Sequence, residues 1–305
     1  MQRGAVHFDG WLAVAGLLVG FTVGLTGMGG GALMTPILVL IFKVNPLTAV
    51  SSDLVASLVM KPVGAGVHLR RSTVNLHLVR WLCIGSVPSA FGGVLILNSL
   101  GHGQHLQDRI KLMLGLALLL AAISILAKGL VGSRRSVDDR ARDASDVKVK
   151  VLPTVLIGAL GGLVVGMTSV GSGSLMIVLL LFLYPRLSAG QLVGTDLVQA
   201  IPLVASAAVG HLLFGDFELA LTTSLLVGAL PGVYAGARVS AWAPDRIIRP
   251  ALLFVLTASA LKLLGSSTVA LAVAMSAIAI TVAVISLGRP GRRRAEPTNL
   301  PVRPG

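Results

Sequence analysis

Gly24-Leu25-Thr26-Gly27-Met28-Gly29-Gly30-Gly31 lies inside a long apolar run that begins near Trp11. Glycine is the poorest common helix former after proline, so this stretch predicts a break in a hydrophobic helix. The chain then makes the stretch again as Gly166-Met167-Thr168-Ser169-Val170-Gly171-Ser172-Gly173. Gly24, Thr26, Gly29, Gly31, Leu33 and Met34 match Gly166, Thr168, Gly171, Gly173, Leu175 and Met176 at one offset of 142. Paired interruptions at corresponding places of two hydrophobic halves are the mark of carriers built from internal repeats.

Composition supports a membrane setting. Of 305 residues, 54% are hydrophobic and only 12% are charged, against about 25% charged in soluble domains. Bilayer crossing takes about 20 apolar residues. Runs of that kind are 46–67, 76–100, 110–131, 189–214, 219–242, 247–264 and 268–287, beside the two broken segments 11–42 and 151–184. The net charge is +13, and many of the basic residues sit in a central linker and a tail, including Arg134, Arg135, Arg140, Arg142 and Arg292–Arg294. The positive-inside bias accounts for such clusters, so no nucleic-acid partner is expected. Cys83 is the only cysteine, which excludes an internal disulfide and argues against a metal cluster. No cofactor is expected. Residues 1–10 carry no clear signal-peptide pattern.

The repeat runs well past the glycines. At an offset of 143, Asp53-Leu54-Val55 matches Asp196-Leu197-Val198, His68-Leu69 matches His211-Leu212, and Gly85 and Pro88 match Gly228 and Pro231. These matches define an all-α polytopic protein of two helical repeats, 1–132 and 151–265. They are joined by a charged linker, 133–150, and followed by an extra transmembrane helix, 266–288, and a basic disordered tail, 289–305. Loop charges orient the chain. Arg70 and Arg71 put one loop on the cytoplasmic side, and 98–107 lacks Lys and Arg. In the second half Arg238, Arg246 and Arg249 sit one loop later. Both patterns hold if 151–184 enters and leaves on one side as two half-helices, which makes the repeats inverted. The linker and tail are then cytoplasmic.

Chemistry gathers at the breaks. Half-helices starting after Gly31 and Gly173 present unpaired amides with partial positive charge, a ready anion site. Glycine lets a ligand approach the backbone closely. Thr26, Thr168, Ser169, Ser172 and Ser174 add hydroxyls to Gly27, Gly29, Gly30, Gly31, Gly171 and Gly173. The bland alternative is that these glycines serve only close helix packing. Asn45-Pro46 reads as a helix start. Asp53 falls on that helix, with Lys61 about 12 Å further along and Pro62 as a kink. Intramembrane ionisable residues are functional candidates by default. Lys61 is expected to neutralise an anion, and its counterpart is Val204. Asp53, Asp196 and His211 are candidates for binding a coupling proton or cation, and Gln199 for lining the path. The bland readings are that the aspartates cap local breaks at Ser51-Ser52 and Gly194-Thr195. Likewise His68 and His211 would anchor helix ends at the interface.

On these residues the chain resembles the TauE/SafE sulfite exporter family. The resemblance rests on Gly24–Gly31 with Pro36, Ala49-Val50-Ser51-Ser52-Asp53, Gly85-Ser86-Val87-Pro88 and their second-half counterparts. The second copy departs in having Ser169, Ser172 and Val178 for Gly27, Gly30 and Pro36. The resemblance implies a bacterial cytoplasmic-membrane carrier for small anions of the sulfite or organosulfonate class. The reading carried forward is a secondary transporter working by alternating access. A passive anion channel is its neighbour. The rival from another class is an intramembrane serine hydrolase with Ser172 as nucleophile and His211 as base. Its motif is not Gly-x-Ser-x-Gly, and Gly30 stands where Ser172 does.

Overall fold

A computed structural model describes residues 10–26, 30–70, 74–101, 103–132, 149–185, 187–239 and 245–267, together with 273 and 276. All regular elements among them are α-helices. They are α1 (Gly10–Thr26), α2 (Gly31–Leu40), α3 (Pro46–Arg70), α4 (Leu76–Ser99) and α5 (Gln104–Gly132), then α6 (Val151–Thr168), α7 (Leu175–Leu183), α8 (Ala189–Phe214), α9 (Leu219–Val239) and α10 (Asp245–Leu263). Most of the linker, nearly all of the extra C-terminal helix and the whole tail lie outside the described residues.

Both glycine stretches interrupt their helices. α1 ends at Thr26 and α2 starts at Gly31; α6 ends at Thr168 and α7 starts at Leu175. α3 starts at Pro46, and the Asn45 carbonyl accepts from the Ala49 amide. α5 begins at Gln104 rather than 110. Its polar first turns form helix readily but lie outside the apolar run that marks a span. One expectation is corrected. α3 and α8 run unbroken through Ser51-Ser52 and Gly194-Thr195, so Asp53 and Asp196 sit in helix interiors and cap nothing.

The helices pack in exchanged pairs. α1 lies along α9, and α6 lies along α4. Glycines set the closeness. A Cβ on Gly16 or Gly20 would meet α9 backbone at 2.4 Å, and one on Gly158 or Gly162 would meet α4 backbone at 2.4 and 2.3 Å. Gly228, Gly232 and Gly236 meet Ala13, Leu17 and Phe21 in rising order, so α1 and α9 run parallel. Gly158, Gly162 and Gly166 meet Leu82, Ser86 and Ala90 in the same way. This is small-residue packing of the membrane type. α3 and α8, counterparts of each other, form the central contact. Thr48 meets Asp216, Ser51 meets His211 and Gly64 meets Leu197, so the two run antiparallel.

Large apolar side chains face outward, including Trp11 at 77%, Leu152 at 70% and Leu213 at 65% exposure. Soluble monomers rarely expose so much contiguous apolar surface. Among the described residues, five helices are long and apolar enough to cross a membrane: α4, α6, α8, α9 and α5 as far as Leu126. α3 has the length, but it carries Asp53, Lys61 and several serines.

Candidate functional site

The two helix breaks touch. A Cβ on Gly31 would fall 1.9 Å from the Ser169 carbonyl oxygen and 2.8 Å from its Oγ. Only a glycine permits that approach. On the second break Ser169 holds the left-handed region at φ 59°, with Gly171 at φ 125° and Gly173 at φ 93°. Thr168 is used up locally, since its hydroxyl donates to Val164 O and accepts from the Val170 amide. The chain then turns back along α6. Gly161 packs on Met176, and Tyr184 Oη accepts from the Lys150 amide at 2.9 Å.

α3 reaches this junction with a polar stripe. Asp53, Ser57 and Lys61 recur every fourth residue and so share one helix face. The Asp53 carboxylate is fully buried, and its Oδ2 accepts from Thr35 of α2 and from Ser169, each at 2.8 Å. One carboxylate thus ties the half-helix after the first break to the loop of the second. Asp53 Oδ1 has no hydrogen-bond partner among the described residues. Two turns on, Lys61 is 6% exposed and donates to Ser172 Oγ at 2.7 Å. Ser174 precedes α7, and its buried Oγ has no hydrogen-bond partner among the described residues.

The second-half groups form separate clusters. Ser86 donates to Gln199 Oε1 at 3.1 Å, and Gln199 Nε2 donates to Asp196 Oδ1 at 3.3 Å. His211 lies in the last turn of α8 as expected, but it is fully buried rather than facing the interface. Its Nε2–H donates to Gly166 O at 2.8 Å, and its Nδ1 meets Ser51 Oγ at 2.8 Å. It therefore joins α8 to α6 and α3. With both ring nitrogens engaged there, and Ser172 bonded to Lys61, the pair needed for a serine hydrolase does not form.

Of the residues singled out in the sequence, Gly30, Gly31, Lys61, Asp53, Ser169 and Ser172 converge at the break junction. Gly171, Gly173 and Ser174 shape its loop. Thr26 closes α1, and Gly27 and Gly29 fall outside the described residues, as does the side chain of His68. Asp196, Gln199 and His211 sit beside the junction rather than in it. Sequence reasoning missed Thr35, Ser57, Ser51 and Ser86. Thr35 carried a signal as the only polar side chain of α2, and Ser57 carried one through its spacing from Asp53.

The family model for "Sulfite exporter TauE/SafE" matches residues 12–263. The chain belongs to the TauE/SafE family. Among its relatives, the probable membrane transporter protein YjnA of Bacillus subtilis (strain 168) is 37% identical over 254 residues, which cover 83% of this chain and 98% of YjnA. The probable membrane transporter protein YdhB of the same organism is 25% identical over 242 residues, 77% of this chain and 91% of YdhB. No solved structure matches the chain. As a TauE/SafE member it is a multi-pass membrane transporter and not an enzyme.

Proposed function

We propose that the protein is a secondary transporter for small anions of the sulfite or organosulfonate class, working by alternating access in the cytoplasmic membrane. The observation that carries this reading is the meeting of two broken helices beside a buried lysine. Irregular backbone at membrane depth is tolerated where protein buries it or where it lines a polar cavity. Lys61 supplies the fixed positive charge. Ser172 is its resident acceptor, and the Ser174 hydroxyl, which has no hydrogen-bond partner among the described residues, supplies a donor. A dianion or monoanion bound there takes over the Lys61–Ser172 contact. The family description names sulfite, and a tetrahedral or pyramidal oxyanion suits several convergent donors.

Alternating access follows from the exchanged packing. α1 goes with α9 and α6 with α4, while α3 lies antiparallel to its counterpart α8. That arrangement is expected of inverted repeats. It supports rocking of one unit against the other about the α3–α8 contact. The return of α7 along α6 supports a second break that enters and leaves on one side.

Flux in proteoliposomes tests the proposal with sulfite, sulfate, thiosulfate and several sulfonates. Accumulation of one anion class against its own gradient is expected. Flux that only equilibrates the gradient would identify a passive channel. Unchanged flux in Lys61→Ala would remove Lys61 from the mechanism.

A further inference from the structure

We infer that the Asp53 junction is a binding site for a monovalent metal cation, sodium, that couples to anion movement. This deepens the carrier reading above and rests on it. Oxygens of Thr35, Ser57 and Ser169 stand near the Asp53 carboxylate. Asp53 Oδ1 is buried and has no hydrogen-bond partner among the described residues, and Oδ2 accepts from Thr35 Oγ1 and Ser169 Oγ at 2.8 Å. A Cβ on Gly30 would lie 3.2 Å from the flexible end of Met60, 3.5 Å from Ser57 Oγ and 3.8 Å from Asp53 Oδ1, so both oxygens border the room that glycine leaves beside the Met60 side chain. The Ser169 carbonyl lies against Gly31 next to it.

These are hard oxygen donors, the ligand type of alkali and alkaline-earth cations. Ser169 is also the C-cap of α6, and a helix C-terminus carries partial negative charge that favours a cation. Broken transport helices use such ends and their freed carbonyls for the coupling ion. A single carboxylate balances one positive charge. A divalent ion would leave an excess charge buried in the same helix bundle as Lys61. A proton would engage Oδ1 alone and leave the hydroxyl and carbonyl oxygens around it without a role.

The second break thus has two faces of opposite character. The C-terminus of α6 with Asp53 takes the cation. The loop before α7, with Ser172 and Lys61, takes the anion. Both faces are read by one helix, α3, whose Asp53 and Lys61 stand about 12 Å apart along its axis. A cation at Asp53 also bridges Thr35 of the first half to Ser169 of the second, so its arrival fixes the contact between the breaks.

The test has two arms on the full-length protein. In detergent, thermal unfolding is compared in sodium, potassium and choline chloride at equal concentration. Sodium alone is expected to raise the melting temperature by about 2 °C or more. Asp53→Asn should abolish that response. Ser57→Ala, which keeps the carboxylate, should raise the half-saturating sodium concentration about tenfold. Equal melting temperatures in the three salts overturn the inference, as does a sodium response that survives Asp53→Asn with an unshifted midpoint in Ser57→Ala. In proteoliposomes, anion accumulation should follow an imposed sodium gradient. Accumulation driven by a proton gradient without sodium overturns the cation site and leaves the carrier standing. Sodium stabilisation through Asp53 with no accumulation of any anion supports the site and sinks the carrier reading.

Discussion

Asp53 and Asp196 occupy matching places in the two repeats, yet they keep different company. Asp53 bonds Thr35 and Ser169 at the meeting of the breaks, with Ser57 and Lys61 on its own helix face. The counterparts of Thr35, Ser57 and Lys61 are Ile177, Ala200 and Val204, all buried and apolar. Asp196 instead accepts from Gln199, which is held by Ser86. The counterparts of those two are Ala56 and Ala229. The break loops show the reverse asymmetry, with serines in the second copy where the first has Gly27 and Gly30. The two halves therefore share the frame that the offset matches define, while the polar side chains of the candidate site gather on one side of it. The site is a hybrid of the first-half helix α3 and the second-half loop.

The largest effect should come from the contact that both halves share. In Gly31→Ala the new Cβ meets the Ser169 carbonyl, which is backbone and has no rotamer to change. Overpacking of this kind costs about 3 kcal/mol or more, enough to lower the yield of monodisperse protein and remove flux. Gly30→Ala, compared in sodium-free buffer, is the packing control. Its nearest neighbour is the flexible end of Met60 at 3.2 Å, so its cost should stay below about 1 kcal/mol. Size-exclusion profiles and melting temperatures of the two variants check this. Equal behaviour would mean that the breaks do not meet as described.

Next in size is the contrast between the aspartates. Asp53→Asn removes the charge at the junction and puts an amide donor where two hydroxyls already donate. Anion accumulation should fall about a hundredfold, the scale of losing a charge-assisted buried contact. Asp196→Asn retains an amide oxygen for Gln199 and should lower accumulation less than about tenfold. Initial rates in proteoliposomes separate them. Equal losses would restore the two-fold symmetry that the side chains deny.

The frame was legible because hydropathy and glycine act locally. The breaks at Gly24–Gly31 and Gly166–Gly173, the helix start at Pro46 and the repeat offsets needed only neighbours in sequence. The membership of the site was less legible. Gly31 meeting Ser169 depends on two segments far apart in the chain. Lys61 was identified through its cost in a membrane, but its partner Ser172 depends on how α7 folds back. His211 looked interfacial because it stands near the end of an apolar run. The helix crossing that buries it against Gly166 leaves no local trace.

Ser172→Ala should have a smaller effect. It strips the Lys61 ammonium of its resident acceptor but leaves the charge in place. A hydrogen bond to a charged group is worth about 1.5–3 kcal/mol, and a bound anion replaces that acceptor. The empty protein should therefore lose stability while the loaded one does not, and the gap in melting temperature between them should widen. Apparent anion affinity should hold or improve. A drop of tenfold or more in affinity would show that the hydroxyl itself binds the substrate.

The smallest expected change is in Ser169→Gly, because two terms oppose. Serine at φ 59° is strained, by about 1–2 kcal/mol for a side-chain-bearing residue in the left-handed region, and glycine removes that strain. The same change deletes the hydroxyl that donates to Asp53, a charged contact worth about 1.5–3 kcal/mol. The net loss should be about 1 kcal/mol, a fall of about 2–4 °C in melting temperature for a chain of this size. Glycine here also restores the residue found at position 27 of the first copy. If stability rises instead, the strain outweighs the hydroxyl, and the serine is then held for its role at the carboxylate rather than for the fold.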